Sequence, residues 1–364
     1  MITGGYMAKN VDSGAKNILV YHVGSIGDTL VALPAFRLIR ERFNDRNIDL
    51  LNLSVAGNLV HADLYEHTDL FRNRLHMLPP AGLFGKLRLY LRFFLVCLTG
   101  RYSNLYCFSP GMPKVLVACF RLCGGREAVH CFLLPGMEDM RLTDAYFSCL
   151  EDAGVPRCPD AWDFPSVPSE TDEAERLADR LAQETACRCF IAFGVGGNQQ
   201  ACLWPVERYS RIIEELKKRI PFLLPVYLGG EADREKADFL KSRHGGVFLP
   251  DTTCSSLRNT IAFLRKCRCY IGNDCGSMHL AATAGIPCAA IFSAHDPSAK
   301  EWLPFGGHNL IFRSNPPCAG CRARTCPKGD PAPCLDFSSD EITEKLNPWL
   351  DGLRGIGKNV QMRS

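Results

Sequence analysis

A short glycine-containing turn near the start of the chain ends in a carboxylate. The segment Gly24-Ser-Ile-Gly-Asp28 directly follows an apolar run at residues 17–23. Two glycines let the backbone turn sharply and admit a ligand close to the start of a helix. The positive end of that helix favours an ionised Asp28, which suits a general base. The alternative is structural, because Asp is also a common N-cap for a helix such as the one predicted at residues 29–43.

A second polar loop lies in the C-terminal half, between a predicted strand at residues 269–272 and a predicted helix at residues 277–284. Its sequence is Asp274-Cys-Gly-Ser-Met-His279. Backbone amides at a helix N-terminus bind phosphate groups, and Asp274 and His279 would orient the loop or contact the ligand. The alternative is a capped turn in which His279 has a hydrogen-bond partner inside the helix.

A third segment, Gly194-Val-Gly-Gly-Asn198, follows a predicted strand at residues 189–193. A lone glycine loop is a weak signal, but this loop and the Asp274 loop end strands of the same predicted sheet. Ligands of open α/β sheets bind at such strand ends. The turn before Asp28 lacks the Gly-x-Gly-x-x-Gly spacing and the ribose-binding acid of dinucleotide sites, so an NAD-dependent enzyme is disfavoured.

The elements that would position these loops form two similar series. A strand, a helix and a strand at residues 17–53 open an α/β domain. A linker at residues 155–171 contains several prolines, and a second alternating series of strands and helices follows it. The sequence therefore predicts two Rossmann-like halves. Residues 1–16 are expected to form a disordered tail, and residues 338–353 a final helix.

Length and composition restrict the class of protein. A chain of 364 residues is too long for one ordinary core, which favours two domains. The net charge of +3 is too small to indicate nucleic-acid binding. The first residues lack the apolar segment of a signal peptide, and no apolar run is long enough to span a bilayer. The 19 cysteines are an odd number, so we expect mostly buried free thiols in a cytoplasmic protein.

One part of the N-terminal half is strongly basic. Between Asp69 and Glu127 the only charged residues are Lys and Arg. Within it, a predicted helix has Arg88 and Arg92 on one flank of an apolar stripe formed by Leu83, Leu87, Leu91, Phe94, Leu95 and Leu98. Such a helix can lie at the surface of the inner membrane. The alternative is a helix whose stripe packs into the domain core while its cations face solvent.

Four cysteines, Cys318, Cys321, Cys326 and Cys334, lie in a segment rich in Pro and Gly. A Cys-x2-Cys start and four thiols fit a tetrahedral site for Zn or Fe, and a metal would stabilise a loop with few apolar residues. The alternative is a group of free or redox-active thiols. In either case a catalytic role is not expected.

Taken together, these segments resemble glycosyltransferase family 9, which includes the lipopolysaccharide heptosyltransferases. The similarity covers residues 18–43, 190–209, 225–240 and 269–292, in the family's order, and continues into the cysteine-rich segment. Three motifs carry it: Gly-Asp-x5-Pro at Gly27, Asp28 and Pro34; Trp-Pro at Trp204 and Pro205; and Asp-x-Gly-x-x-His at Asp274, Gly276 and His279.

The resemblance implies the GT-B fold, an α/β architecture of two Rossmann-like domains facing across a cleft. Residues 17–165 would form the acceptor-binding domain, and residues 172–337, with the cysteine-rich loop at 318–334, the nucleotide-sugar-binding domain. Residues 338–364 would form a helix and tail that pack back on the N-terminal domain.

The resemblance also implies an inverting transfer without a metal at the catalytic centre. The expected donor is ADP-heptose, and the expected acceptor is the lipopolysaccharide core or another lipid-linked saccharide. Asp28 would be the base, in an acceptor loop with Gly24, Ser25 and Gly27. The donor would contact Gly196, Gly197, Asn198, Glu231, Asp233, Asp274, Cys275, Gly276, Ser277 and His279.

Two positions depart from the family pattern. Cys202 occupies the place where the family usually has a phosphate-binding Lys, and no Lys or Arg lies between Phe190 and Trp204. Either Arg208 reaches in from the following helix or the donor differs. Cys275 stands where Thr or Ser is common, and a thiol is a poorer hydrogen-bond donor.

Two other functions remain open at this stage. One is a non-catalytic sugar- or nucleotide-binding protein that keeps the fold, which the loss of the Lys at Cys202 would explain. The other is a nucleotide-sugar epimerase of similar architecture, although no additional acid and base pair is found for it. The sequence does not identify the donor's base or sugar, the acceptor, or the oligomeric state.

Overall fold

The computed structural model describes residues 17–54, 63–77, 82–111, 114–133, 135, 137, 139–157, 164–297 and 299–353. The chain divides into two compact units, residues 1–163 and 164–364. Both units contain a parallel sheet with helices on its faces. The predicted tail at residues 1–16 and the end of the chain after residue 353 lie outside the described residues.

The N-terminal sheet has the strand order β3-β2-β1-β4-β5. Val20 in β1 lies between Leu50 of β2 and Tyr106 of β4, so the strand order reverses beside β1. A reversal of this kind opens a crevice at the carboxyl ends of the two central strands. The strands are β1 (Asn17–Gly24), β2 (Ile48–Ser54), β3 (Asn73–Met77), β4 (Tyr102–Phe108) and β5 (Glu127–His130).

Helices cover both faces of this sheet. They are α1 (Ile26–Arg42), α2 (Gly82–Gly100), α3 (Lys114–Leu122) and α4 (Leu142–Asp152). Alternate residues of β1 face opposite sides, as in any strand. Tyr21 packs edge-to-face against Phe93 of α2, whereas His22 packs against Phe36 of α1. The β1 strand is therefore buried on both faces, as its apolar sequence predicted.

The C-terminal sheet has the strand order β11-β10-β9-β6-β7-β8. Its order reverses between β6 and β9, where Gly194 pairs with Gly272. The strands are β6 (Cys189–Gly194), β7 (Leu223–Leu228), β8 (Val247–Phe248), β9 (Cys267–Asn273), β10 (Cys288–Phe292) and β11 (Leu310–Arg313). The helices are α5 (Pro168–Thr185), α6 (Val206–Arg219), α7 (Arg234–His244), α8 (Leu257–Leu264), α9 (Gly276–Thr283) and α10 (Ser339–Gly352).

The last helix, α10, packs on its own unit. Its apolar side, formed by Ile342, Leu346 and Leu350, belongs to the core of the C-terminal unit. Arg219 of α6 donates a hydrogen bond to the Asn347 side chain over 2.7 Å. The expectation that residues 338–364 also pack on the N-terminal domain stays a prediction, since the part after residue 353 lies outside the described residues.

Candidate active site

Asp28 is the third residue of α1 rather than its cap. The helix begins at Ile26 with Ser25 as N-cap, three residues earlier than the sequence indicated. The backbone N–H of Ser25 donates to Asp28 Oδ2 over 2.5 Å, and its hydroxyl donates to the same oxygen over 2.7 Å. This return contact from the third helical residue is half of a capping box. Ser25 therefore fixes the orientation of the carboxylate at the end of β1.

Gly24 is needed because Asp28 occupies the space beside it. A Cβ atom at Gly24 would lie 2.2 Å from the Cβ of Asp28 and 2.9 Å from its Oδ2. Any other residue would push the carboxylate away from Ser25. The sequence analysis assigned this glycine to a sharp turn, whereas the structure assigns it to a close approach by the predicted base.

A buried polar pair lies behind Asp28, and the sequence analysis missed it. His22 in β1 and Asn52 in β2 are both fully buried, with His22 Nδ1 3.0 Å from Asn52 Oδ1. Burial lowers the pKa of His22, with the neighbouring Asp28 acting in the opposite direction. His22 is therefore neutral at pH 7. A polar residue inside the apolar run of β1 was the signal that could have revealed it.

In the C-terminal unit, Asp233 joins the loops that follow β6 and β7. A Cβ atom at Gly196 would lie 2.1 Å from Asp233 Oδ2, and one at Gly229 would lie 2.8 Å from Asp233 Cβ. Asp233 Oδ2 accepts a hydrogen bond from the Gly230 N–H over 3.0 Å, and Oδ1 is 3.0 Å from Lys236 Nζ. The two glycines thus make room for a carboxylate that lies between both loops.

Asn273, the last residue of β9, connects the glycine loop to the Trp-Pro segment. Its Oδ1 accepts hydrogen bonds from the Trp204 N–H over 3.0 Å and from the Tyr209 hydroxyl over 2.9 Å. Its Nδ2 donates to the carbonyl oxygen of Gly196 over 3.3 Å. Asn273 is fully buried. One amide side chain therefore fixes the glycine loop, the start of α6 and the end of β9 at the strand-order reversal.

Tyr270 fills the space that two glycines leave at the crossing of β6 and β9. A Cβ atom at Gly194 would lie 1.9 Å from the Tyr270 hydroxyl oxygen, and one at Gly272 would lie 2.5 Å from the same oxygen. The hydroxyl donates to the carbonyl oxygen of Asn273 over 2.9 Å and lies 3.7 Å from Cys275 Sγ. Tyr270 therefore contacts both ends of the turn from Asn273 to Cys275.

The loop after β9 leads directly into α9, as the sequence predicted. Cys275 is the N-cap, Gly276 and Ser277 form the first turn, and all three are partly exposed. A Cβ atom at Gly197 would lie 3.9 Å from Cys275 Cβ, so the glycine loop adjoins this helix start. His279 is buried one turn further and packs edge-to-face against Trp302 at 6.2 Å. The described α9 terminus therefore presents backbone amides beside the glycine loop.

Asp274 has an unusual protonation equilibrium. Its N–H donates to the Ile291 carbonyl over 3.1 Å, which ties the loop to β10. Burial raises the pKa of the Asp274 carboxyl to about 7, Asp296 raises it further, and Arg313 opposes both. A substantial fraction of Asp274 is therefore protonated at neutral pH, and in that form the side chain is a hydrogen-bond donor.

The two family departures have clear positions. Cys202 is buried, with its Sγ 3.6 Å from His295 Nδ1, and burial raises the pKa of its thiol to about 12. Arg208 does not take the place of the missing Lys. Its guanidinium donates to the Phe337 carbonyl over 2.5 Å and to Asp336 over 2.6 Å, so it is engaged by the segment before α10.

Two predicted donor residues lie away from these contacts. Glu231 is exposed and pairs with Arg234 over 2.6 Å, which lowers the pKa of its carboxyl. Asn198 is exposed at the outer side of the glycine loop. The structure thus brings Gly196, Gly197, Asp233 and Cys275 together, with Asp274 beside them.

The cysteine-rich segment does not form the predicted four-thiol site. Among the described residues, no group of three or more His, Cys, Asp or Glu side chains is arranged to hold a metal ion. Cys334 points into the core, with its Sγ 3.1 Å from Ser293 Oγ, whereas Cys321 is exposed. The metal site that the spacing predicted is thus not confirmed.

The sequence of residues 146–331 matches the family-wide profile of glycosyltransferase family 9, described as heptosyltransferases. The chain belongs to glycosyltransferase family 9. This confirms the resemblance found in its motifs. Among curated proteins, none matches the sequence at a significant level.

Solved structures show the same fold. A glycosyltransferase of family 9 from Veillonella parvula has a TM-score of 0.70 at 14% identity, with 94% of this chain and 100% of that chain covered. ADP-heptose LPS heptosyltransferase II of E. coli has a TM-score of 0.63 at 16% identity, with 92% of this chain and 99% of that chain covered. E. coli heptosyltransferase WaaC with ADP has a TM-score of 0.59 at 12% identity, with 92% of this chain and 99% of that chain covered. The predicted α/β fold class, with two Rossmann-like units of GT-B type, is confirmed.

Proposed function

We propose that this family 9 protein is an inverting glycosyltransferase that moves heptose from ADP-heptose to a lipopolysaccharide-core or other lipid-linked saccharide acceptor. Its heptosyltransferase-like fold and the ADP held by the similar WaaC support this donor class. The observation that carries the proposal is the carboxylate of Asp28, held by Ser25 at the carboxyl end of β1. On this assignment the reaction takes place at the cytoplasmic face of the inner membrane.

In the proposed reaction, Asp28 accepts the proton of an acceptor hydroxyl. The hydroxyl oxygen forms a bond to the anomeric carbon while the bond from that carbon to the diphosphate breaks, and the diphosphate leaves with the electron pair. Two hydrogen bonds from Ser25 to one carboxylate oxygen hold Asp28 in a single orientation. A fixed base has little reorganisation to undergo in the transition state, which favours proton transfer.

The donor diphosphate is proposed to bind where the glycine loop meets the start of α9. Gly197 is partly exposed there, and the first turn of α9 presents backbone N–H groups and the positive end of the helix dipole. These groups would stabilise the charge that develops on the departing diphosphate. Protonated Asp274 would add a neutral hydrogen-bond donor, whereas ionised Asp274 would repel the diphosphate.

The missing Lys favours one alternative, a binding protein without transferase activity. Cys202 is a neutral thiol beside His295, so it offers the phosphates no positive charge. Charge-assisted contacts to phosphate are stronger than neutral ones. Retention of Asp28 with its Ser25 contacts favours the enzyme, because a binding protein would not need an oriented carboxylate at this place.

The test is to incubate the purified protein with ADP-heptose and a deacylated inner-core acceptor, and to measure ADP release and product mass. Asp28→Asn should reduce the rate by at least about 100-fold, because the amide keeps an oxygen that accepts from Ser25 but cannot take the proton. Glu341→Gln is the matched control. Glu341 accepts from the Ser338 N–H over 2.7 Å in an equivalent cap of α10, so this change should leave the rate unaltered.

Acceptor-dependent ADP release that Asp28→Asn removes and Glu341→Gln retains would support transfer with Asp28 as the base. Release of ADP without an acceptor would indicate hydrolysis instead. No turnover with ADP-heptose, or with a panel of UDP- and GDP-sugars, would favour the binding protein. Equal rates for wild type and Asp28→Asn would contradict the role of Asp28.

A further inference from the structure

The α2 helix leaves a broad apolar surface uncovered. Leu83, Phe84 and Leu87 are 81%, 87% and 64% exposed, and the remaining exposed members are Leu91, Leu95 and Leu98. At 3.6 residues per turn, these six side chains fall within an arc of about 120°. The neighbouring α3 adds the exposed side chains of Val115 and Leu122. We call the six residues of α2 and these two of α3 the apolar patch.

The apolar patch is not a missing piece of the core. The side of α2 that faces the N-terminal sheet consists of Phe93 and Cys97, which are both buried in the core with Tyr21 and Phe120. One alternative from the sequence was a helix whose leucine stripe packs inward. The structure contradicts that alternative, because a second apolar side of the same helix makes the core contacts.

Positive charge borders the apolar patch. Arg88 and Arg92 are exposed, and around the helix axis they lie next to the Leu95 edge of the patch. Lys86, Lys114 and Arg121 are exposed on the same two helices. No Asp or Glu occurs anywhere between Asp69 and Glu127. An apolar strip edged by cations alone matches the boundary of a bilayer that contains anionic lipids, with acyl chains below the strip and phosphates at its edge.

The same charge pattern disfavours a second copy of the chain as the occupant. A two-fold contact would place the basic edge of one patch against that of the other, without an acidic group from α2 or α3 to compensate. None of the helices in the described part of the chain is long and apolar enough to cross a membrane. The observations therefore favour a helix pair that rests on the surface.

We propose that α2 and α3 form a docking surface for anionic membrane lipids, with the apolar patch inserted among the acyl chains and Arg88 and Arg92 against lipid phosphates. This inference is independent of the sugar transfer proposed above, since it concerns only where the protein resides. Binding to vesicles can therefore fail while transfer to a soluble acceptor succeeds, and the reverse also holds.

The test is flotation of the full chain with vesicles of phosphatidylethanolamine and phosphatidylglycerol, compared with phosphatidylcholine vesicles. Arg88→Glu with Arg92→Glu should weaken binding to the anionic vesicles by at least about 25-fold, since each of the two cations contributes roughly a fivefold factor. Leu87→Ser with Leu91→Ser should weaken it by at least tenfold at both low and high salt. Arg211→Glu with Lys241→Glu makes the same charge change on exposed cations of α6 and α7, and should leave binding unaltered.

Preferential flotation with anionic vesicles, lost in both α2 variants and kept in the control, would support the proposal. Equal binding by wild type and both α2 variants, or no flotation of the wild type, would overturn it. So would a wild type that sediments as a dimer and becomes a monomer in Leu87→Ser with Leu91→Ser, because the patch would then be an interface between copies. Circular dichroism melts of each variant confirm that the exposed substitutions leave the fold intact.

Discussion

Replacing Asn273 with Ala should both destabilise the C-terminal unit and weaken its binding of ADP. The change removes the acceptor of the Trp204 N–H and the Tyr209 hydroxyl, and the donor to the Gly196 carbonyl. Leaving a buried polar group unsatisfied costs about 1–3 kcal/mol. Tyr209 keeps a second contact, to the Gly194 carbonyl at 3.3 Å. The expected loss is therefore about 3 kcal/mol for the remaining two groups.

A double-mutant cycle separates this network from general damage to the core. Tyr209→Phe should cost about 1 kcal/mol alone, and it should cost less in the Asn273→Ala background because its partner is already absent. Tyr227→Phe is the matched control. The Tyr227 hydroxyl donates to the Gly245 carbonyl over 2.9 Å and, in the described part of the chain, makes no hydrogen bond to Asn273 or its partners. It should cost similar stability and leave ADP affinity unchanged.

The measurements are urea unfolding followed by tryptophan fluorescence and ADP binding by calorimetry. Trp204 is buried at 4.9 Å from the Tyr209 ring and reports on this region. Asn273→Ala should weaken ADP binding at least tenfold, because the glycine loop loses its attachment to β9. A loss of stability below about 1 kcal/mol, additive effects of Asn273→Ala and Tyr209→Phe, or unchanged ADP affinity would refute the reasoning.

Three further outcomes are expected. Gly24→Ala should lower the transfer rate at least tenfold with little change in ADP affinity, since the new methyl group displaces Asp28; rates and affinity measured together check this. The pKa of Asp274 is raised from its ordinary value of 3.8 to about 7. The stability that protonated Asp274 contributes is therefore fully present below pH 3.8 and is lost as the pH rises through 7. Asp274→Asn should remove that loss in thermal melts and flatten the decline of ADP affinity between pH 6 and 8. Finally, the family resemblance predicts that EDTA leaves the transfer rate unchanged, and a rate restored only by added metal would contradict it.

Much of the fold follows from the sequence because its strands are buried on both faces. The apolar runs of β1 and β6 locate two strands almost to the residue, and parallel sheets require such runs. The start of α1 was misplaced by three residues because Asp28 and Ser25 are both good caps. Only the contact between them shows which one caps the helix.

The sites were predictable where a loop follows a strand, and not where distant segments meet. Gly196 follows β6, Asp233 follows β7 and Asn273 ends β9, so their contacts depend on the strand order of the folded sheet. Periodicity also identified the leucine stripe of α2 without deciding which way it faces. Phe93 and Cys97 give the helix a second apolar side, so the pattern alone could not separate core from surface.

The location of α10 makes the two units separable by a single cut. Since this helix completes the C-terminal core, each unit is one uninterrupted stretch of chain, residues 1–163 and 164–364. Exchange of whole units between members of the family then needs only one junction per hybrid protein. Such hybrids would test whether one half sets acceptor choice and the other nucleotide choice, without altering any residue inside either core.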